Sequence, residues 1–315
     1  MRGFQGECYY YSDNFLEEHF LEQFAFILAL LLIGIVLQKA PAPVDFAKSL
    51  NFFVIYVSLP ATVLIQIPKI HFDFSALGVI LVPWLLLPIV IGIVMLMTRN
   101  HPPQTRAALL LVMPLGNTSF IGIPIVHTLL GENAIPYVLM YDQFGTFLML
   151  SFYGSAVIAR YETGMFHKRL IMKKLLFFPP FIFLVFALVF GETPSIAQPY
   201  LELLSSTLVP LALVSVGYSM KFGGEVDYTL LTQSLVLKLA IMPFIAFGIL
   251  FAMGTDPLAL KTAVLESGMP SMITAGALAI AAGFAPELSA ALVGYGIVIS
   301  LATLPIIAYL MEKLF

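Results

Sequence analysis

The sequence predicts an all-α integral membrane protein of ten transmembrane helices, arranged as two inverted five-helix repeats with broken crossover helices four and nine. Three observations predict it. The chain is extremely apolar, it divides into ten hydrophobic runs of spanning length, and the fourth and ninth runs are interrupted at matching places by polar, Gly and Pro residues.

Of the 315 residues, 60% are hydrophobic and 10% charged, with mean hydropathy +0.98. Soluble domains carry about 25% charged residues, so the length belongs to spanning segments and no soluble domain fits. Cys8 is the only cysteine, which excludes an internal disulfide and a cysteine-based metal cluster. No HExxH, Walker-type or Gly-rich phosphate motif occurs, and no nucleophile–base pair or metal-ligand cluster stands out. An enzyme, a bound cofactor and a nucleic-acid partner are therefore not expected. Residues 1–20 hold Glu7, Asp13, Glu17 and Glu18 against Arg2, without the basic start and apolar run of a signal peptide. They read as a short extracytoplasmic tail.

A helix needs about 20 apolar residues to cross a bilayer. Runs of that order fall near 21–39, 45–66, 74–98, 104–130 and 134–160, then near 170–190, 198–219, 228–252, 257–283 and 287–312. The first repeat is thus 21–160 and the second 170–315, joined by a basic loop at 161–169. Basic residues orient the array. Arg160, Lys168, Arg169, Lys173 and Lys174, with Lys39, Lys48, Arg99, Arg106 and Lys221, lie on one side; Arg2, Lys69, Lys261 and Lys313 lie on the other. The richer side is cytoplasmic, which places both termini outside a cell (inner) membrane.

The halves echo one another at an offset of about 150 residues: Ser58-Leu59-Pro60-Ala61 with Leu208-Val209-Pro210-Leu211, and Asn117-Thr118-Ser119 with Ser267-Gly268-Met269. An odd number of spans inverts the second copy. Inverted repeats with interrupted helices mark secondary transporters.

Span four contains Gly116, Asn117, Thr118, Ser119, Gly122 and Pro124; span nine contains Gly268, Pro270, Ser271 and Thr274. Non-helical backbone survives in a bilayer only where it is buried in protein or lines a wet cavity. The alternative is a kinked helix with small residues for close packing. If both helices break, second halves starting near Phe120 and near Ser271 would converge with two positive dipole ends, an arrangement that favours a carboxylate. Asn117, Thr118, Ser119, Ser267 and Thr274 would add side-chain hydrogen bonds, with Gly122, Pro270 and Ser271 shaping the site.

Three ionisable residues sit well inside predicted spans: Asp142, Lys238 and Glu266. Such residues are costly in hydrocarbon and usually have partners or a function. Glu266 lies four residues before Pro270, and its desolvation makes it a candidate proton carrier. A structural ion pair, Lys238 with Asp142 or Glu266, is the competing reading. Lys238 supports the site on one reading and faces an anionic ligand on the other. His127 reads as a packed or interfacial histidine, and Gln66 and Gln143 are weak candidates.

Three stretches, "LNFFVIYVSLPA", "GNTSFIGIPI" and "ESGMPSMITAGALA", resemble the auxin efflux carrier family, which includes plant auxin exporters and bacterial malonate-type carriers. The resemblance covers the chain beyond the first twenty residues, with a short basic loop where many plant members have a long cytoplasmic one. It implies a bile-acid-symporter-like fold: spans one, two, six and seven as scaffold, the others as a moving core, and four and nine crossing at their breaks. It also implies that Asn117, Thr118 and Ser119 face substrate, that Pro270 is the crossover proline, and that the protein is a homodimer. Glu266 departs from the plant pattern, where a neutral polar residue is usual, so plant-type coupling does not carry over.

The expected function is secondary active or facilitative transport of a small organic anion, a carboxylate such as a malonate- or auxin-like acid, by alternating access, in contact with membrane lipid and, where transport is coupled, with a proton or sodium as the coupling ion. A sodium-coupled symporter of a larger organic anion and a non-transporting ligand-sensing receptor are the alternatives.

Overall fold

The computed structural model describes residues 25–43, 45–69, 74–163, 179–220 and 226–315. The acidic tail and the basic residues 168–174 and Lys221 lie outside the described residues. The described chain is helical throughout, without a β-strand; its single β-type pairing is a bridge between Gly116 and Ser271.

In chain order the helices are α1 (Ala25–Leu37), α2 (Phe46–Lys69), α3 (Phe74–Met97), α4 (Pro103–Val112), α5 (Thr118–Leu130) and α6 (residues 135–163). They continue with α7 (Pro179–Phe190), α8 (Gln198–Ser219), α9 (Tyr228–Ala252), α10 (Pro257–Ser267), α11 (Ile273–Ala281) and α12 (Pro286–Leu314). Five of them, α2, α8, α9, α12 and the stretch Ala76–Met97 of α3, are long and apolar enough to cross a membrane. Exposed Phe52, Tyr56, Leu96, Phe244 and Ile306 give these helices the apolar outer surface that lipid requires.

Local sequence explains where the helices start and bend. Asp227 and Asp256 cap α9 and α10, each accepting two backbone N–H bonds of the first turn. Pro103, Pro257 and Pro286 occupy first-turn positions, where a missing N–H costs nothing. Three wide π-turns, Val54–Ser58, Thr118–Gly122 and Leu237–Ile241, each end two residues before a proline: Pro60, Pro124 and Pro243. Proline lacks the donor for the preceding turn and its ring crowds that carbonyl, so a locally wider turn accommodates it.

The buried apolar residues form two clusters. One joins α3, α4, α9, most of α10, α11 and parts of α6 and α12. The other takes most of the buried apolar residues of α1, α2, α7 and α8, with α5 and the start of α6 packed against them. Within the second cluster the backbones of α1 and α8 touch at Gly34 and Gly217, where any side chain would collide with the opposite main chain. A polar ladder ties α2 to α8: Ser58 Oγ to Thr207 Oγ1 at 2.7 Å, Thr62 Oγ1 to Ser205 Oγ at 2.8 Å, and Ser215 Oγ donating to Asn51 Oδ1 at 2.5 Å. The breaks between α4 and α5 and between α10 and α11 sit where the two clusters meet.

Candidate functional site

The interruptions are true breaks, not kinks. α4 stops at Val112, residues 113–117 are non-helical, and a second helix starts at Thr118. α10 stops at Ser267 and α11 starts at Ile273. The two unwound segments run antiparallel and pair with each other: Asn117 N–H donates to the Pro270 carbonyl at 2.8 Å, and Met272 N–H donates to the Leu115 carbonyl at 2.9 Å. Each break thereby satisfies backbone groups that the other leaves open, which is what buried irregular backbone needs. The starts fall at Thr118 and Ile273, two residues from the expected positions, because the π-turn ahead of Pro124 and the bridge at Ser271 set them.

Of the eight candidate substrate residues, seven gather at this crossover and differ in what remains free. Asn117 is 2% exposed, its carbonyl accepts from Ile121 and Gly122, and its side-chain Nδ2 has no partner. Thr118 and Ser119, expected to face substrate, instead donate their hydroxyls to Asp142 Oδ1 at 2.5 and 2.6 Å. Gln143 Nε2 donates to Asp142 Oδ2 at 2.7 Å. Asp142 is thus held by three donors, and the first turn of α5 is bolted to α6. Ser267 is buried and returns its hydroxyl to the Val264 carbonyl at 2.7 Å. Pro270 and Ser271 lie in the bridged segment, with Gly296 packed against Pro270. Thr274 is the exception: it is exposed on α11.

Glu266 is fully buried at the end of α10, and neither carboxyl oxygen has a hydrogen-bond partner. It lies against the first turn of α5, where a Cβ on Gly122 would come within 2.5 and 2.6 Å of its two oxygens. The glycine makes room for the acid group. An ionised carboxylate without a donor in such surroundings costs several kcal/mol, about the most expensive polar arrangement a protein interior can hold.

Lys238 is also buried, on the π-turn of α9. The ion pair between it and Asp142 or Glu266 is not formed: the three ion pairs among the described residues are Lys48–Asp45, Lys69–Glu132 and His101–Asp227. Lys238 and Asp142 are buried on π-turns of helices that pack against α10, without an ion pair or hydrogen bond to Glu266. The π-turn widening lets these side chains reach inward at positions a regular helix would turn elsewhere.

The two helix starts at the crossover differ in what faces them. The first turn of α5 faces the carboxyl groups of Asp142, through the Thr118 and Ser119 hydroxyls, and of Glu266. Neither first turn, of α5 or of α11, has a side-chain cap. Sequence reasoning missed the Asp142 clamp, for which neighbouring hydroxyl and amide types were the available signal. It also missed Trp84, whose Nε1 donates to the Phe144 carbonyl at 2.9 Å and steadies the α6 turn that carries Asp142. His127 is exposed near the end of α5, away from this cluster.

Paired helix breaks inside an apolar bundle are a feature of multi-pass membrane transport proteins. Comparison with known proteins agrees: residues 19–308 match the family described as membrane transport protein, and the chain belongs to it. The resemblance to auxin efflux carriers holds at this level. An uncharacterized transporter of Methanothermobacter thermautotrophicus is 27% identical over 294 residues, covering 89% of this chain and 94% of that protein. An uncharacterized transporter of Methanocaldococcus jannaschii is 29% identical over 250 residues, covering 72% of this chain and 77% of its own.

Proposed function

We propose that this protein is a secondary carrier of a small organic anion, a mono- or dicarboxylate, which it holds at the crossover and moves by alternating access. The carrying observation is the antiparallel crossover with the buried Asn117 amide left free beside it. The uncapped first turn of α11 offers main-chain N–H groups and a positive dipole end. Asn117 Nδ2 offers a directed donor from the opposite half. A carboxylate accepts from both at once. Thr118 and Ser119 act on this reading by holding α5 in place and not by touching substrate.

Ten spans in two inverted repeats, 21–160 and 170–315, belong to the same proposal. Two contacts join residues about 150 positions apart, Ser58 with Thr207 and Gly116 with Ser271, as expected for pairs that straddle an internal two-fold axis. The packing of α1 on α8 is echoed by that of α7 on α2. The second cluster groups α1, α2, α7 and α8, the expected scaffold, with the crossover residues that face it, which supports a core that moves against that scaffold at the crossover. Lys39 and Lys48 flank the α1–α2 turn and Arg99 and Arg106 the α3–α4 turn. They support a cytoplasmic placement of that end and extracytoplasmic termini in the cell membrane.

The test is flux into proteoliposomes across a panel of small carboxylates. At least one should enter in a protein-dependent way, and Asn117→Ala should weaken its apparent affinity by about 10- to 100-fold, the worth of one hydrogen bond to a charged group. Undiminished transport by Asn117→Ala, or no carboxylate flux in the native protein, would remove this assignment.

A further inference from the structure

We infer that Glu266 carries one proton together with each anion, so that the carrier is a proton–anion symporter whose two cargoes bind cooperatively. The inference rests on the crossover site proposed above and supplies its coupling ion. Its basis is where the Glu266 carboxyl lies. It comes from α10 in the second half of the chain and presses on Gly122, in the first turn of α5 from the first half. Gly122 N–H donates to the Asn117 carbonyl at 3.0 Å, so the acid group and the free Asn117 amide share one helical turn.

The groups that face Glu266 leave it unanswered. From α6 come Asp142, already held by three donors, and Tyr141. Lys238 comes from α9 but is not in ion-pair contact with it. α3 contributes no titratable residue, α5 only His127, which is exposed, and the titratable residues of α12 are Glu287, Tyr295, Tyr309, Glu312 and Lys313. An ionised Glu266 would therefore place a second negative charge beside Asp142, without a donor, on the turn that an incoming anion must approach. A proton cancels that charge. A proton also needs no surrounding shell of oxygen ligands, as a metal cation does, and the wall against Glu266 is a glycine turn.

Anion and proton consequently favour one another's binding, and by linkage each raises the affinity for the other equally. The proton is taken from water on the side where the crossover opens and returned to water on the other. The bound anion makes the same journey, and no further reactant is needed.

The experiment uses the full-length protein in vesicles with a trapped pH dye and the carboxylate giving the highest flux in the panel. Above the baseline of protein-free vesicles, entry should acidify the lumen by about one proton per monocarboxylate. A gradient of one pH unit should drive about tenfold accumulation. In Glu266→Gln the remaining flux should carry no protons, and the gradient should drive no accumulation. If that variant is arrested, anion affinity of the purified protein across pH decides: falling with rising pH in the native protein, flat in Glu266→Gln, and displaced along the pH axis in Gly122→Ala. Anion flux without protons, accumulation driven by sodium instead, or an unchanged proton-to-anion ratio or pH dependence in Glu266→Gln would overturn the coupling and leave the site standing. Absence of any anion flux would instead overturn the site.

Discussion

At the break between α4 and α5, side chains reach outward and are caught: Thr118, Ser119 and Gln143 converge on Asp142 at 2.5 to 2.7 Å. At the break between α10 and α11, nothing comparable happens. Ser267 bonds back to its own helix, and Glu266 is buried with both oxygens unpartnered. The backbones of the two breaks are related by mutual pairing, but their side chains do opposite work. The first break is anchored to a neighbouring helix by charge-assisted hydrogen bonds, so α5 and α6 must move together. The second keeps a titratable group beside the proposed substrate position with no fixed partner. On the proposed function, near-symmetric main chain with asymmetric side chains lets one half hold geometry while the other responds to its ligands.

The sharpest way to break this comparison is to remove the anchor. Asp142→Ala strands three donors inside the bundle and should cost about 3 kcal/mol or more, since hydrogen bonds to a charged group are worth about 1.5–3 kcal/mol each. Thermal unfolding in detergent should show the loss, together with abolished transport. Ser267→Ala removes only a local bond to its own helix and should cost about 0.5–1 kcal/mol. Equal destabilisation by the two variants would mean that the asymmetry has no energetic content.

A smaller effect is expected away from the crossover, in the ladder between α2 and α8. Thr62→Val deletes the bond to Ser205 and a local one to the Ser58 carbonyl, and hydrogen bonds between membrane helices average about 0.6 kcal/mol. A loss rivalling that of Asp142→Ala would place the main anchor in the scaffold.

The smallest effect concerns Glu132, which bridges the ends of α2 and α5 through Gln66 Nε2 and Lys69 Nζ, each at 3.0 Å. The Gln66 hydrogen bond, then those of Lys69 and its charge, hold this carboxyl below the usual carboxylate range. Its contribution is therefore complete above the ordinary carboxylate range and disappears as pH falls through the lower folded value. The side chain is 61% exposed, so solvent screening keeps the effect slight. Acidification should lower the unfolding temperature of the native protein marginally more than that of Glu132→Gln. An identical acid response in both would show that the bridge does not contribute.

Much of this architecture was legible beforehand. The runs placed at 198–219 and 228–252 coincide with α8 and α9, and the others fall within a few residues of the observed helices where these are described. Apolar length, proline position and charged flanks act locally, so they can be read without neighbours. The breaks were legible for the same reason, since Gly116, Pro124, Gly268 and Pro270 disfavour regular helix wherever they lie. The roles of Thr118 and Ser119 were not. Hydroxyl groups beside a helix end can serve a ligand or a neighbouring acid, and only the position of α6 selects the acid. The competing reading of a Lys238 ion pair failed likewise, because opposite charges on separate helices pair only if both side chains reach one point.

By itself, then, the sequence determined that this chain spans a membrane repeatedly, and that its fourth and ninth runs are broken, because these follow from transfer of apolar surface and from backbone chemistry within a few residues. Tertiary structure decided which polar groups remain free for chemistry. Asn117 keeps an open donor, Thr118 does not, and Glu266 rests against a glycine from the other half of the chain. Hydrogen-bond satisfaction depends on pairs of groups distant in sequence, and their meeting exists only once the two halves have packed.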